Sequence, residues 1–255
     1  DRPLLREGNA LRAVGGGGEA AEGGDEGAGE GAARLVDPHA TLSGSGVRGG
    51  AVHMVRGSYE YCHYLQDRFD DKGWGCAYRS LQTIASWFRR AHYTSAAPPD
   101  HAAIQRALVD VGDKPRSFVG SRQWVGAIEL SYVLDRLYGV SCRVLTVPQG
   151  QDMWTDTKWA RDLCRHFDTE GTPVMVGGGV LAYTMVGVDF NEETGDVAYL
   201  ILDPHYTGAD EVKPVHAGGW VGWKRGLDAK GGTGGLVFDK ASFYNLLLPL
   251  RPKTV

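Results

Sequence analysis

The sequence predicts an α+β fold in which helices come first along the chain and a mainly antiparallel sheet follows. Two observations support this prediction. Apolar residues recur at helical spacing in several segments between residues 75 and 167, whereas apolar and β-branched runs dominate from residue 173 onward. Segregated helices and strands are typical of α+β proteins, because a parallel sheet requires strands and helices to alternate along the chain.

Four helices are predicted in the first part of the chain. Gly75–His92 is the longest, Asp100 is an expected N-cap for a short second helix, and Ser121 is an expected N-cap for a third that ends at Gly139. Thr155–Phe167 is the fourth. The apolar positions that carry the helical pattern are Ala77, Leu81, Ile84, Ala85 and Phe88, then Ile104 and Leu108, then Trp124, Ile128, Leu134 and Leu137, and finally Trp159 and Leu163.

The predicted strands are Val140–Val147, Pro173–Val176, Leu181–Phe190, Val197–Leu202 and the final apolar segment Ser242–Leu250. The loop from Asn191 to Asp196 has the composition of a hairpin turn and therefore joins two antiparallel strands. The glycine-rich stretch Gly218–Gly235 is predicted to be loop with a short strand.

A change of composition near residue 46 divides the chain. Residues 1–50 contain 14 of the 37 glycines and no aromatic residue. Such a segment buries too little apolar surface to offset the entropy of ordering it, so we expect residues 1–46 to form a disordered linker. Residues 47–255 are then the folded domain. The chain begins with Asp1 rather than methionine, and we expect a further region upstream of it.

Composition excludes several functional classes. A formal net charge of −4 does not indicate a nucleic-acid-binding protein, and no apolar stretch approaches the ~18 residues of a membrane span. The four cysteines form no C-x-x-C pair, which argues against a zinc or thioredoxin-like motif. Their sparseness indicates a reducing compartment, the cytosol or nucleus. No phosphate-binding loop, metal-ligand spacing or other cofactor motif is present.

Cys76 is the cysteine with the strongest indication of reactivity. It follows Gly73–Trp74–Gly75 at the start of the first predicted helix, where the helix N-terminus lowers a thiol pKa. The glycines permit a tight turn and close approach of a substrate chain, and backbone N–H groups at such a turn can stabilise an oxyanion. A buried structural cysteine is the alternative explanation. The other cysteines, Cys62, Cys142 and Cys164, lack such a turn and are expected to pack in the interior.

A candidate base follows the predicted strand Val197–Leu202. Asp203 and His205 lie two positions apart, so both side chains can face the same side and the carboxylate can orient the imidazole. The alternative is a simple turn capped by Asp203. The same tripeptide recurs as residues 37–39, but no apolar strand precedes that copy, and we interpret it as coincidence.

Aromatic residues alternate in Tyr59–Tyr64, a pattern that by itself favours a half-buried strand. A tyrosine hydroxyl can also donate to a developing oxyanion. His63 is expected to play a structural role. The run Gly177–Gly179 is expected to form a bend or the floor of a cleft.

Four motifs together resemble one known family. They are GWGCAYRSLQT from Gly73, GGGVLAYT from Gly177, LDPHYTG from Leu202 and SFYNL from Ser242. In this order they resemble the cysteine proteases specific for ubiquitin-fold modifier 1, over about residues 52–252.

The resemblance implies a papain-like fold with a catalytic triad of Cys76, Asp203 and His205. It makes Tyr64, twelve positions before the nucleophile, the oxyanion donor, and it places Trp74 and Gly75 against the substrate. It implies no cofactor.

The resemblance further implies that the protein trims the modifier's precursor and removes the modifier from substrate lysines. A membrane-adaptor protein is an expected partner of the upstream region, with a cytoplasmic, endoplasmic-reticulum-surface or nuclear location. Three alternatives stay open: a protease for an autophagy-related modifier, which shares the GWGC turn and the Asp-Pro-His order, a pseudoenzyme that only binds the modifier, and a general peptidase.

Overall fold

The structure, a computed structural model, describes residues 33–179, 181–226, 238 and 240–252. Its helices are α1 (Cys76–Arg90), α2 (His101–Asp110), α3 (Ala127–Tyr138), α4 (Thr157–Thr169) and α5 (Val212–Ala217). Its strands are β1 (Ala51–Met54), β2 (Cys142–Val147), β3 (Val174–Gly178), β4 (Leu181–Phe190), β5 (Val197–Leu202), β6 (Val221–Arg225) and β7 (Tyr244–Pro249). Within these residues no helix is long and apolar enough to cross a membrane.

The strands form one antiparallel sheet in the order β2-β7-β3-β4-β5-β6, and β1 pairs with the last residues of β4. The predicted α+β class is therefore confirmed. The loop Asn191–Asp196 closes the β4–β5 hairpin, as its composition predicts. Helix α5 and strand β1 were not predicted. The predicted glycine-rich stretch from Gly218 contains β6, and its residues 227–235 lie outside the described part of the chain.

Helix α1 is the centre of the larger hydrophobic core. It contacts β3 and β4 on one side and α3 on another, and its residues from Cys76 to Phe88 are all buried. The other core lies between α4 and the sheet, where Trp159 and Leu163 are buried as predicted. Because α1 is buried on all sides, close packing holds its N-terminus in a fixed position relative to the sheet. Cys76 lies at this N-terminus and is held with it.

The predicted start of the third helix is wrong. Helix α3 begins at Ala127 rather than after Ser121, because Gly126 is the N-cap and its N–H donates to the Glu129 carboxylate at 3.0 Å. Three residues of the predicted helical pattern are exposed in the structure: Trp124, Ile128 and Leu137. The buried face of α3 consists of Leu130, Val133 and Leu134. The predicted end at Gly139 is confirmed, since this glycine has a φ of +64°.

The expected end of the disordered linker at residue 46 is wrong, because described residues before this position contact the folded domain. Leu35 accepts a hydrogen bond from the N–H of Tyr61, and the Asp37 carboxylate accepts one from the N–H of Tyr59. His39 lies 2.6 Å from the Tyr59 hydroxyl. The first Asp-Pro-His copy thus attaches the chain to the domain. The rest of the predicted linker, residues 1–32, lies outside the described residues.

Candidate active site

The turn before α1 places Cys76 at the first position of that helix. The N–H groups of Trp74 and Gly75 both donate to the Asp71 carbonyl, at 3.1 and 2.9 Å. Glycine is required at position 75, because a Cβ atom there would lie 2.5 Å from the Cβ of Asp71. Cys76 is only 8% exposed, so its sulfur faces a restricted opening at a helix N-terminus, where negative charge is favoured.

His205 and Asp203 meet just beyond the end of β5. The Nδ1 atom of His205 lies 2.5 Å from Asp203 Oδ1, and the same oxygen accepts the backbone N–H of His205 at 2.9 Å. The backbone N–H of Asp203 donates to the Trp220 carbonyl at 2.7 Å. The predicted contact between carboxylate and imidazole is therefore present. The side chain of Cys76 is near enough to the imidazole to influence its protonation.

The environment of His205 favours its protonated form. Burial by itself lowers the pKa of an imidazole, but the hydrogen bond to Asp203, the nearby Cys76 side chain and the negative charge of these groups outweigh burial and raise the pKa to about 9. An imidazole with this pKa takes a proton from a thiol readily and carries it at neutral pH. It is thus suited to act first as a base and then as an acid.

Tyr64 lies against the same two residues. Its ring meets the His205 ring edge-on with centroids 5.3 Å apart, and its hydroxyl is near enough to Cys76 for the two groups to interact electrostatically. Burial, followed by the charge of Cys76, raises the pKa of Tyr64 well above its ordinary value, so the hydroxyl keeps its proton. The N–H of Tyr64 donates to the Pro204 carbonyl at 2.9 Å, which holds the tyrosine segment beside the histidine segment.

The half-buried strand expected at Tyr59–Tyr64 is not formed. The segment makes one isolated bridge, from Glu60 to Val36, and its side chains from Tyr61 to Tyr64 are all buried. The alternating aromatic pattern led to a wrong prediction, because this segment lies between α1 and the end of β5 and both of its faces are covered. His63 has the expected structural role: it contacts the Tyr64 carbonyl and the Asp210 carboxylate.

Two further tyrosines contact the site and were given no role by the sequence. Tyr61 donates a hydrogen bond from its hydroxyl to the Asp203 carbonyl. Tyr183 packs its ring edge-on against His205, with centroids 5.5 Å apart. Tyr183 belongs to the GGGVLAYT motif, which is the only sequence signal that points to it.

A cleft of about 300 Å³ opens beside Cys76. One wall is the β3–β4 hairpin with the predicted glycine run, and the other comes from the start of α3. Trp74 lines the cleft as expected for a substrate-binding residue, whereas Gly75 packs against Asp71. The lining residues are Trp74, Cys76, Ala77, Trp124, Val125, Gly126, Ala127, Glu129, Met175, Gly177, Gly178, Gly179, Leu181, Ala182, Phe243 and Asn245.

The remaining cysteines have the packing role predicted for them. Burial raises the pKa of Cys62 to about 11 and that of both Cys142 and Cys164 to about 12, which makes all three poor nucleophiles. All four cysteines are free thiols. Among the described residues, no group of three histidine, cysteine or acidic side chains is arranged to hold a metal ion.

We expect Gly178→Ala to obstruct the cleft. A Cβ atom at this position would lie 2.2 Å from Cδ1 of Tyr244 and 2.5 Å from the Phe243 carbonyl oxygen, so the cleft wall must shift. Overpacking of this kind lowers the free energy of unfolding by about 1–3 kcal/mol. Denaturant titration measures this loss, and KM for the substrate should rise as well.

Gly222→Ala in β6 is the matched control, because a Cβ atom there has no heavy atom within 4 Å. We expect a change of less than about 0.5 kcal/mol in this variant. Equal effects of the two substitutions would contradict the described packing of the cleft wall.

Comparisons with known proteins identify the family of this chain. The family model described as Peptidase family C78 matches residues 50–247. A protein of Oryza sativa subsp. japonica named "Probable Ufm1-specific protease" is 55% identical over 256 residues, which is 100% of this chain and 38% of that protein. "Ufm1-specific protease 2" of Homo sapiens is 50% identical over 221 residues, 87% of this chain and 45% of that protein.

A solved structure titled "Crystal structure of UfSP from C.elegans" superposes with a TM-score of 0.72 at 40% identity, covering 87% of this chain and 38% of that one. This likeness confirms the expected papain-like fold. The chain spans less than half the length of these relatives. Because the family model covers most of the chain and the relatives are at least 50% identical, the chain belongs to peptidase family C78, a family of cysteine peptidases.

Proposed function

We propose that this chain is the catalytic region of a thiol protease that cleaves after the C-terminal glycine of ubiquitin-fold modifier 1 (Ufm1). The observation that carries the proposal is the contact of His205 with Asp203 and with the Tyr64 ring, close to Cys76 at the edge of a glycine-walled cleft. The names of the relatives support Ufm1 as the substrate. The autophagy-related alternative is not favoured by these relatives.

In the proposed reaction, His205 removes the proton of Cys76, and the thiolate attacks the carbonyl carbon of the modifier's last glycine. Asp203 holds His205 with Nε2 towards the sulfur, because Nδ1 is occupied by the 2.5 Å contact with the carboxylate. The proton now carried by His205 passes to the leaving amine when the C–N bond breaks. Water, deprotonated by the same imidazole, then hydrolyses the thioester and restores the thiol.

The tetrahedral intermediate places a negative charge on the glycine oxygen. The Tyr64 hydroxyl is near the Cys76 side chain, so in this proposal it donates to an oxygen bound next to that sulfur. The raised pKa of Tyr64 keeps this donor protonated. The N–H of Cys76 at the helix N-terminus is a second donor for the same oxygen.

The cleft accounts for the requirement for a glycine tail. Gly177 and Gly178 leave its wall without side chains, and Trp74 and Trp124 border it with flat apolar surfaces. A slender extended tail fits this space, whereas a bulky residue at the cleaved position meets the wall. The acyl group is the same glycine in a precursor and in a lysine conjugate, so one site serves for trimming and for deconjugation.

Incubation with two modifier precursors tests the proposal. We expect the protein to release the C-terminal extension of the Ufm1 precursor and to leave an autophagy-related modifier precursor intact, as seen by mass spectrometry of the products. Cleavage of the autophagy-related precursor alone would contradict the proposed substrate. Binding of Ufm1 without cleavage would favour the pseudoenzyme, and cleavage of unrelated short peptides would favour a general peptidase.

A further inference from the structure

Asp71 is a fully buried carboxylate behind the proposed site. It accepts a hydrogen bond from Arg79 Nε at 2.6 Å, and His101 Nε2 lies 3.0 Å from the same oxygen. Burial alone raises the pKa of a carboxyl group, but the hydrogen bonds from His101 and Arg79 hold the pKa of Asp71 below its ordinary value. Asp71 is therefore a buried anion with a defined set of donors. No role for Asp71 was predicted from the sequence.

Asp71 is bonded to both segments that supply the proposed chemistry. Its second oxygen, Oδ1, accepts the N–H of Leu65 at 2.9 Å, and Leu65 directly follows Tyr64. Its carbonyl accepts the N–H of Gly75 at 2.9 Å, and Gly75 directly precedes Cys76. One residue thus connects the oxyanion donor to the nucleophile.

The segment after Tyr64 requires such support. Leu65, Asp67 and Arg68 all have positive φ values, of +64°, +60° and +56°. Backbone in this region is strained for residues other than glycine and persists only where surrounding contacts impose it. Arg79, the buried cation that pairs with Asp71, donates to the Gln66 carbonyl at 2.9 Å and to Asp67 Oδ2 at 3.0 Å.

The Tyr64 segment and the Cys76 segment differ in how firmly contacts other than those with Asp71 hold them. Cys76 belongs to α1, which is buried along most of its length, so its position does not depend on Asp71 alone. The turn at Leu65–Arg68 is strained, and the Asp71–Arg79 pair is one of its supports, through hydrogen bonds to Leu65, Gln66 and Asp67. Loss of the Asp71 charge therefore frees the Tyr64 segment more than the cysteine.

We infer that Asp71 is a positioning residue for the proposed reaction, which sets the Tyr64 hydroxyl at bonding distance from the oxygen that forms next to Cys76. This inference rests on the proposed function, because Tyr64 matters only if an oxyanion forms there. Arg79 and His101 serve by holding Asp71. Asp71 itself touches no substrate.

A double-mutant cycle of Asp71→Asn with Tyr64→Phe tests the inference, with release of a fluorogenic amide from the C-terminal glycine of Ufm1 as the readout. We expect Asp71→Asn to lower kcat by about 10²-fold with KM changed less than about threefold, since a displacement of ~1 Å costs this much. In the Tyr64→Phe background, where the donor is already absent, the same substitution should lower kcat by less than about threefold.

A merely structural role gives a different result. If Asp71 only stabilised the fold, Asp71→Asn would lower kcat by the same factor in both backgrounds, and the inference would be overturned. Asp189→Asn is the matched control, because Asp189 is similarly buried but accepts from Ser45 near the far end of β4. We expect its kcat to stay within about threefold of wild type.

A second variant covers the case in which Asp71→Asn does not fold. Arg79→Lys keeps the charge but cannot reach Asp71, Asp67 and Gln66 at once, since an ammonium lacks the planar fork of donors. We expect the same loss of kcat and the same non-additivity with Tyr64→Phe; additive losses would overturn the inference. If the wild type releases no amide and Cys76→Ser does not bind Ufm1, the proposed function itself fails. This outcome differs from the additive losses that would overturn only the inference about Asp71.

Discussion

Cys76→Ser should lower amide release from Ufm1 by about 10⁴-fold or more, because a serine hydroxyl beside this imidazole is a much weaker nucleophile and loss of a triad nucleophile costs rates of this order. The substitution replaces a single sulfur atom by a smaller oxygen at the first position of α1, so the free energy of unfolding should stay within about 1 kcal/mol of wild type. Stopped-flow or plate fluorescence gives kcat, and denaturant titration gives the stability.

Cys142→Ser is the control for this experiment. Cys142 is partly buried in β2 and its pKa is raised to about 12, so it has no part in the proposed reaction. We expect its kcat to stay within about threefold of wild type. Normal turnover by Cys76→Ser, or loss of turnover in Cys142→Ser with the fold intact, would contradict the assignment of the nucleophile.

Asp203→Asn should lower kcat by about 10³–10⁴-fold, since an amide in place of the orienting carboxylate favours the wrong imidazole tautomer. The substitution also removes a hydrogen bond and a charge that raise the pKa of His205. That pKa should fall below about 9, and the basic limb of the pH–rate profile, on which the imidazolium loses its proton, should move to lower pH.

The first copy of the Asp-Pro-His tripeptide supplies the control. Asp37→Asn changes the same residue type in the same sequence context, but the Asp37 carboxylate accepts the N–H of Tyr59 and lies outside the site. We expect kcat within about threefold of wild type and a loss of about 1 kcal/mol in the free energy of unfolding. An unshifted pH–rate profile for Asp203→Asn would contradict the role of Asp203.

Local signals in the sequence were sufficient for most elements, and they also identified the three residues of the proposed triad. Asp100 caps α2 as predicted, with its carboxylate 2.6 Å from the N–H of Ala103, and β4 and β5 have the predicted bounds. Cys76 and His205 could be found because each follows a distinctive local pattern. The start of α3 could not, since Ser121 and Gly126 are both acceptable caps and only the Glu129 contact decides between them.

Residues whose contacts are distant along the chain have no local sequence pattern that identifies them. Asp71 reaches His101 across 30 positions, and Tyr61 reaches Asp203 across 142, so neither contact follows from spacing along the chain. The expected strand at Tyr59–Tyr64 was wrong for the same reason, because the covering of its second face depends on the fold. Composition placed the domain boundary too late because Leu35 and Asp37 are held by residues from another segment.

The most direct test of the central claim uses Ufm1 whose C-terminal glycine carries an electrophile that traps a cysteine nucleophile. After incubation with the wild-type chain, peptide mass spectrometry locates the adduct. We expect one covalent adduct, on Cys76, and none with Cys76→Ser. An adduct on Cys62, Cys142 or Cys164, or no adduct with the wild type, would contradict it.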